Sequence, residues 1–422
     1  MKTKIANTSK KENLNFQNHK IDGYNYAIGP CRFLLRLLGA WPDFHYQRSW
    51  ISFICILITI ITMLLFCVIS QSVKMFLSWR NFNLIIEILI NCNIPTIIAT
   101  TKIFSIWYHR YVLKDLLLQI IEDWKMVHVE QELIIMWTNA RISRILCIGC
   151  IFMTQATLLC QCTVGIFNIL SYISNMNPND TMSKPLYMAG SFPYNVQVFP
   201  NYELSIFGQI LSNIFASTSF SSVDSFFIVL MYHLIGQLSL LKLALFKLPN
   251  KIENAEDKKM FFDKFSLLHR RHNQLCRFSM SIEESFNMMF LIQMVPCFFG
   301  LCVLPYKLIQ IISADYISIV ELIFVVYFFL LFLFTNFLYC YIAELLHGKS
   351  IEVSYAVYNC NWTILPPKEA RLFIFILLRT QIPFEITIGK FTTFSLQFYC
   401  HILKTSAGYL SMLLAVRNRM NY

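Results

Sequence analysis

Four stretches of this chain, residues 50–70, 145–172, 286–306 and 322–343, contain no charged side chain. A helix of about 20 residues crosses the roughly 30 Å hydrocarbon core of a bilayer, and a helix satisfies its own backbone there. Three further apolar runs carry one or two charges: residues 82–108 with Glu87 and Lys102, residues 204–241 with Asp224, and residues 391–416 with Lys404. The pattern predicts seven crossings. Composition agrees, because 56% hydrophobic and only 14% charged residues is far from the quarter charged of soluble domains. The net charge of +11 falls between the apolar runs, where a bilayer's topology determinants belong, so nucleic-acid binding is set aside.

The first 49 residues are polar and basic with no apolar core near their start, so the first span is expected to anchor the chain without a removable signal. With the N-terminus inside, 28 Lys and Arg fall on the inner side and 6 on the outer, the remaining one being Lys404. That bias predicts a cytoplasmic N-terminus and an extracellular C-terminus. Of the sequons at Asn7, Asn179 and Asn361, only Asn179 then lies outside, where a glycan can be attached.

The 14 cysteines lie mostly in the spans, and Cys147 and Cys150 read as packing residues with no His or carboxylate to complete a metal shell. No paired carboxylates, Ser/His/Asp order or Gly-rich phosphate loop appears, so neither catalysis nor a cofactor or metal is expected. The fourth apolar run is too long for the bilayer, and amphipathic pattern continues from it to residue 283 across Pro249 and Asn250. A second amphipathic stretch starts at Pro367 and ends at Pro383. The inner side is therefore expected to be built of helical extensions. Asp224 is expected at the inner interface in reach of water, Lys102 to snorkel inward, and Glu87 and Glu321 to lie near the outer surface.

The stretches YCYIAELLHGKSIEVSYAVYNCNWTILPP and RTQIPFEITIGKFTTFSLQFYCHILKTSAGYLSML resemble the C-terminal signature of insect odorant receptors, in particular the hymenopteran set. The matching residues are Cys340, Tyr341, Glu344, Tyr358, Trp362, Pro367, Arg379, Pro383, Gly389, Lys390, Ile402, Leu403, Lys404, Ser406 and Tyr409. The resemblance implies an all-α integral membrane protein of seven transmembrane helices whose cytoplasmic extensions form an anchor region. The chain then divides into a cytoplasmic segment (1–49), helices one to four (50–240), a cytoplasmic connection (241–283), helices five and six (284–346), an anchor segment (347–389), a pore-lining seventh helix (390–417) and an extracellular tail (418–422).

Such a chain is implied to be an odorant-binding subunit of a non-selective cation channel, a heterotetramer with the family's coreceptor in the dendritic membrane of olfactory neurons. The short second inner loop, and Gly408 where the coreceptor has threonine, mark a tuning subunit. In the last helix the residues alone allow two readings, close packing through Gly408, Ser411 and Ala415, or a pore lining. The resemblance implies the pore, with Thr405, Tyr409, Met412 and Val416 facing it. It also implies an odorant pocket in the outer half of the membrane. The second helix there offers Phe82, Ile85 and Leu89, and the third Leu158, Cys162 and Gly165. The fourth offers Ser205, Gly208 and Ser212, and the sixth Val320, Phe324 and Tyr327. That lining suits small volatile or hydrocarbon-like ligands. The gustatory receptors of insects share the architecture and are the nearest alternative; a G-protein-coupled receptor would need the opposite orientation.

An epitope tag after Tyr422 should be labelled on intact cells and one before Met1 only after permeabilisation. The reverse labelling would contradict the charge argument.

Overall fold

The computed structural model of the protein describes residues 23–42, 49–127, 129–174, 184–249, 252–313 and 319–420. Helix α1 covers residues 23–37. Helix α2 runs as Ser49–Met63, a π-helical stretch Leu64–Ile69 and Ser70–Leu77, and α3 as Phe82–Ile88, a π-helical stretch Leu89–Asn93 and Ile94–Tyr108. Then follow α4 (Arg110–Met126), α5 (Glu130–Ser174), α6 (Asn201–Phe246), α7 (Ala255–Ile312), α8 (Ile319–Asn359), the short α9 (Pro367–Ala370) and α10 (Leu372–Thr380), and α11 (Leu396–Met420). Among the described residues, five helices are long and apolar enough to cross a membrane: α2, α5, α6, α7 and α8. With α3 and the 25-residue α11, which at about 1.5 Å per residue are also longer than the hydrocarbon is thick, the described residues form the seven long helices expected.

Helix α6 is the axis of the bundle and packs along α5, α8 and α3. Nearly every residue from Ser221 to Leu238 is buried, on all sides of the helix, so the hydrophobic face that marks a surface helix is absent. Ser219, Ser221, Ser222 and Ser225 are fully buried there. Small residues let neighbouring helices approach closely, and their hydroxyls need no partner on another helix when they bond back along their own, as Ser221 does to Ser217 O at 3.1 Å.

The two π-helical stretches face one another. Asn93 Nδ2 donates to Val68 O and to Ser72 Oγ, both at 3.2 Å, so the side chain of one π segment bonds the backbone that the other displaces. At the opposite end, α1 packs on α4, α5 and α6, with Ile28, Cys31 and Leu35 fully buried. Arg144 of α5 donates to Tyr26 O at 3.0 Å and lies 4.1 Å from the Tyr26 ring. The N-terminal segment, read from the sequence only as polar and basic, thus contains a packed helix.

The same end holds two polar joints. Asp123 of α4 bonds His233 Nε2 at 2.8 Å and Arg271 Nη2 at 2.6 Å. Burial alone would raise its carboxyl, but the hydrogen bond and charge of His233, with Arg271, outweigh that and hold it below the usual carboxylate range. The second joint is a two-stranded antiparallel hairpin, β1 (Thr387–Ile388) and β2 (Thr392–Thr393), with Thr387 opposite Thr393. It docks on α7: Thr387 Oγ1 donates to Glu283 Oε1 at 2.5 Å and Gly389 N to Asn287 O at 3.1 Å. Gly389 has φ +58°, and a Cβ there would come within 2.7 Å of Leu291.

Gly389→Ala should therefore cost at least about 1–2 kcal/mol from the left-handed backbone alone, read as a lower melting temperature of the purified protein. An unchanged melting temperature would show that the turn does not need glycine.

Candidate ligand-binding site

Two cavities lie in series, the inner between α3, α5, α6, α7 and α8 and the outer between α3, α5, α7, α8 and the segment 184–190. The inner one, about 80 Å³, is lined by Cys92 and Thr96 of α3, Thr154, Leu158 and Gln161 of α5, Asn213, Ala216 and Phe220 of α6, Gln293 and Cys297 of α7, and Phe328, Phe332 and Asn336 of α8, among others. The outer one, about 410 Å³, is bordered by Leu84, Glu87 and Ile88, Val164 and Gly165, residues 185–189, and Lys307, Val320, Glu321 and Phe324. Cys92 and Gln161 line both, so the two are neighbours across one wall. The inner cavity exceeds several-fold the space one water needs. Its lining is largely apolar with a few convergent amides, the usual make-up of a small-molecule site.

The segment 184–190 folds into the bundle and forms one side of the outer cavity. Met188 N donates to Gln209 Oε1 and Gln209 Nε2 to Met188 O, both at 3.1 Å, while Tyr202 OH donates to Pro185 O at 2.8 Å. Tyr187 reaches deepest: Asn213 Nδ2 donates to its hydroxyl at 3.0 Å, and its ring lies where a Cβ on Gly165 would be, at 2.4 Å. Glycine at 165 is thus required by the close approach of that ring.

Directly behind the inner cavity lies a buried ion pair. Lys102 of α3 and Asp224 of α6 are in direct contact, with side-chain exposures of 0% and 6%. Lys102 Nζ also donates to Tyr339 OH at 3.1 Å and lies 3.5 Å from the centroid of the Phe220 ring. Its three N–H groups thus face a carboxylate, a phenol oxygen and a π face, a full set of partners for an ammonium. Tyr339 OH donates to Asp224 Oδ1 at 2.5 Å and accepts from Gln293 Nε2 at 3.3 Å. Phe220 and Gln293 are cavity wall, so the charge pair backs the wall without lining it.

This corrects the reading of each charge by itself. Asp224 is not at a wet interface and Lys102 does not snorkel; each is the other's partner, and 122 residues of sequence separate them. At the other end of the cavities Lys307 pairs with Glu321 at 3.1 Å.

The residues expected to form the pocket are distributed as follows. Leu158 lines the inner cavity, and Gly165, Val320 and Phe324 the outer one. Gly208 borders a groove on the outside of the bundle, against Phe66. Ser205 bonds Tyr194 OH at 2.8 Å, Cys162 approaches Tyr187 OH at 3.4 Å, and Tyr327 donates to Met153 O at 3.2 Å. Ser212 is fully buried, and Ile85 and Leu89 are half-buried; none of the three borders either cavity. The side chain of Phe82 lies outside the described residues. On α11, Thr405 is half-buried, whereas Tyr409 and Met412 are exposed and a Cβ on Gly408 would meet only open space. The Val416 side chain and Asn179 lie outside the described residues. Sequence reasoning missed Gln161, Asn213, Gln293, Asn336 and Tyr187. Four of these are amides inside apolar runs, the kind of residue that marks function in a membrane.

A profile of the 7tm Odorant receptor family matches residues 84–407. Odorant receptor 82a of Drosophila melanogaster is 25% identical over 239 residues, 56% of this chain and 59% of that protein. Odorant receptor 13a of the same fly is 23% identical over 254 residues, with the same coverage. The matches thus span about three-fifths of these relatives' length. Among solved structures, the insect olfactory receptor OR5 from Machilis hrabei in complex with eugenol has a TM-score of 0.78 at 16% identity, covering 93% of this chain and all of that one. The same receptor without eugenol in its description gives 0.75 at 15% identity. The likeness establishes the fold.

Removing one partner of a buried pair leaves an uncompensated charge, at a cost of about 3–5 kcal/mol. Asp224→Ala should therefore nearly abolish folded protein, measured by size-exclusion profile and surface labelling. The double change Lys102→Met with Asp224→Leu should recover most of it. If the double variant is as defective as the single, the pair is not the cause.

Proposed function

This chain belongs to the 7tm odorant receptor family, and on that premise we propose that it is the odorant-tuned subunit of a cation channel formed with the family's shared coreceptor. The observation that carries this reading is the pair of cavities in series, walled by α3, α5, α6, α7 and α8 and backed by the buried charges. The charge bias supports a placement of the cavities in the outer half of the membrane, with residues 184–200 and the Lys307–Glu321 pair on the extracellular side. A small apolar molecule enters past Tyr187 and is held chiefly by burial, worth about 25 cal/mol per Å².

The uncovered face of α11 supplies the pore. Tyr409 and Met412 are largely exposed on their own chain and Gly408 meets open space, as a helix lining a shared axis requires, and Met412 supplies an apolar constriction that closes by dewetting. The hairpin docks on α7 and α10 packs against α8, and the chain runs from them directly into α11. Movement of the cavity walls α7 and α8 therefore reaches the pore helix through packed structure.

Expressed with the coreceptor, the chain should give currents to members of a broad panel of small volatile molecules; expressed alone, it should give little. Robust currents from the lone chain would refute the heteromer, and silence of the co-expressed pair to the whole panel would refute the receptor reading.

A further inference from the structure

We propose that the inner cavity selects ligands that bring a hydrogen-bond donor, a hydroxyl above all, because two carbonyl oxygens of its wall residues lack partners while the wall's own hydroxyls are already spent as donors. This rests on the reading of that cavity as the odorant site. The direction of each hydrogen decides this. Tyr339 has a single hydroxyl hydrogen, and it goes to Asp224, since an ionised carboxylate can only accept. Its oxygen therefore accepts, from Lys102 and from Gln293 Nε2. The charge pair thus fixes which way round the Gln293 amide sits, with Nε2 on Tyr339 and Oε1 left over. That oxygen is buried and unpartnered.

Asn336 arrives at the same state by a different route. Its Nδ2 donates to Phe332 O at 2.7 Å. A backbone carbonyl cannot donate, so the amide cannot be turned, and Oδ1 is likewise buried without a partner. Gln293 and Asn336 are 1% and 2% exposed, and both line the inner cavity.

The hydroxyl donors along the wall are already committed. All five lining hydroxyls donate to backbone carbonyls: Thr96 to Cys92 O, Thr154 to Cys150 O, Thr157 to Met153 O, Ser217 to Thr154 O and Thr335 to Leu331 O. Asn213 gives its amide hydrogens to Gln161 Oε1 and Tyr187 OH. A ketone, ester or ether would set oxygen against oxygen, and a hydrocarbon would leave two buried carbonyls unpaired. An alcohol or phenol of the same shape satisfies one of them. A site built to bond a hydroxyl rejects the analogue lacking it more strongly than a hydrophobic pocket rejects a missing methylene.

The test uses the full chain with its coreceptor. For each scaffold that evokes current in the panel, the alcohol is compared with its methyl ether and with the hydrocarbon of the same shape. The alcohol should act at a concentration at least about tenfold lower. In Asn336→Leu and in Gln293→Met that ratio should shrink several-fold while the ether response is kept, and Tyr339→Phe, which frees the Gln293 amide to turn, should move preference toward ketones. Equal potency of alcohol and ether in the native chain overturns the proposal without needing any variant. A ratio unchanged in both the Asn336 and Gln293 variants also overturns it. A panel that evokes no current overturns the odorant reading itself, a result distinguishable from active ligands that show no donor preference.

Discussion

The contact on which the structure most depends is the buried meeting of Lys102, Asp224 and Tyr339. It joins α3, α6 and α8 at one point, and through Gln293 it also reaches α7. Two charges without water are unfavourable, and their attraction offsets this only when every donor is satisfied. Here the ammonium has a carboxylate, a hydroxyl and the face of Phe220. The pair is better understood as a device of register than as a source of stability. Sliding α6 by one residue past α3 would turn Asp224 by 100° and strand both charges, so the helices can pack in one arrangement only.

The ligand site follows from that arrangement. Helices α3, α5, α6, α7 and α8 line the cavities, and segment 184–190 with Tyr187 closes part of the outer one. Close packing at the joint is permitted by the buried serines of α6, one of which, Ser225, receives Cys147 Sγ on its carbonyl at 3.3 Å. Cys147 is therefore a packing residue, as its surroundings in the sequence imply. The polar joint and the apolar cavity are thus two ends of one packing solution.

The long apolar runs made the helices and their number legible, because bilayer thickness converts directly into residue count. The terminal signature was legible for a different physical reason. Gly389 and Lys390 are the two residues of the hairpin with positive φ, +58° and +64°, and Gly389 also touches Leu291, so a sequence motif there reports a backbone requirement. Two things were not legible. Lys102 and Asp224 each have an innocent explanation when taken singly, and nothing local says that residues 122 apart share one site. The cavity face of α3, with Leu84, Ile88, Cys92 and Thr96, is one residue out of register with Ile85 and Leu89. Periodicity places residues on a common face without saying which face the neighbours leave empty, and the π-helical stretch Leu89–Asn93 breaks the 100° count midway.

The central claim is that ligand occupies the inner cavity and that its size is set by the wall. The most direct measurement changes the wall at Leu158, which lines that cavity and is half-buried, and follows a homologous series of agonists by length in cells that also express the coreceptor. Leu158→Ala should move the optimum to longer members, and Leu158→Trp to shorter ones, at unchanged surface amounts. If both variants keep the native optimum, the ligand does not sit between these helices and the account fails.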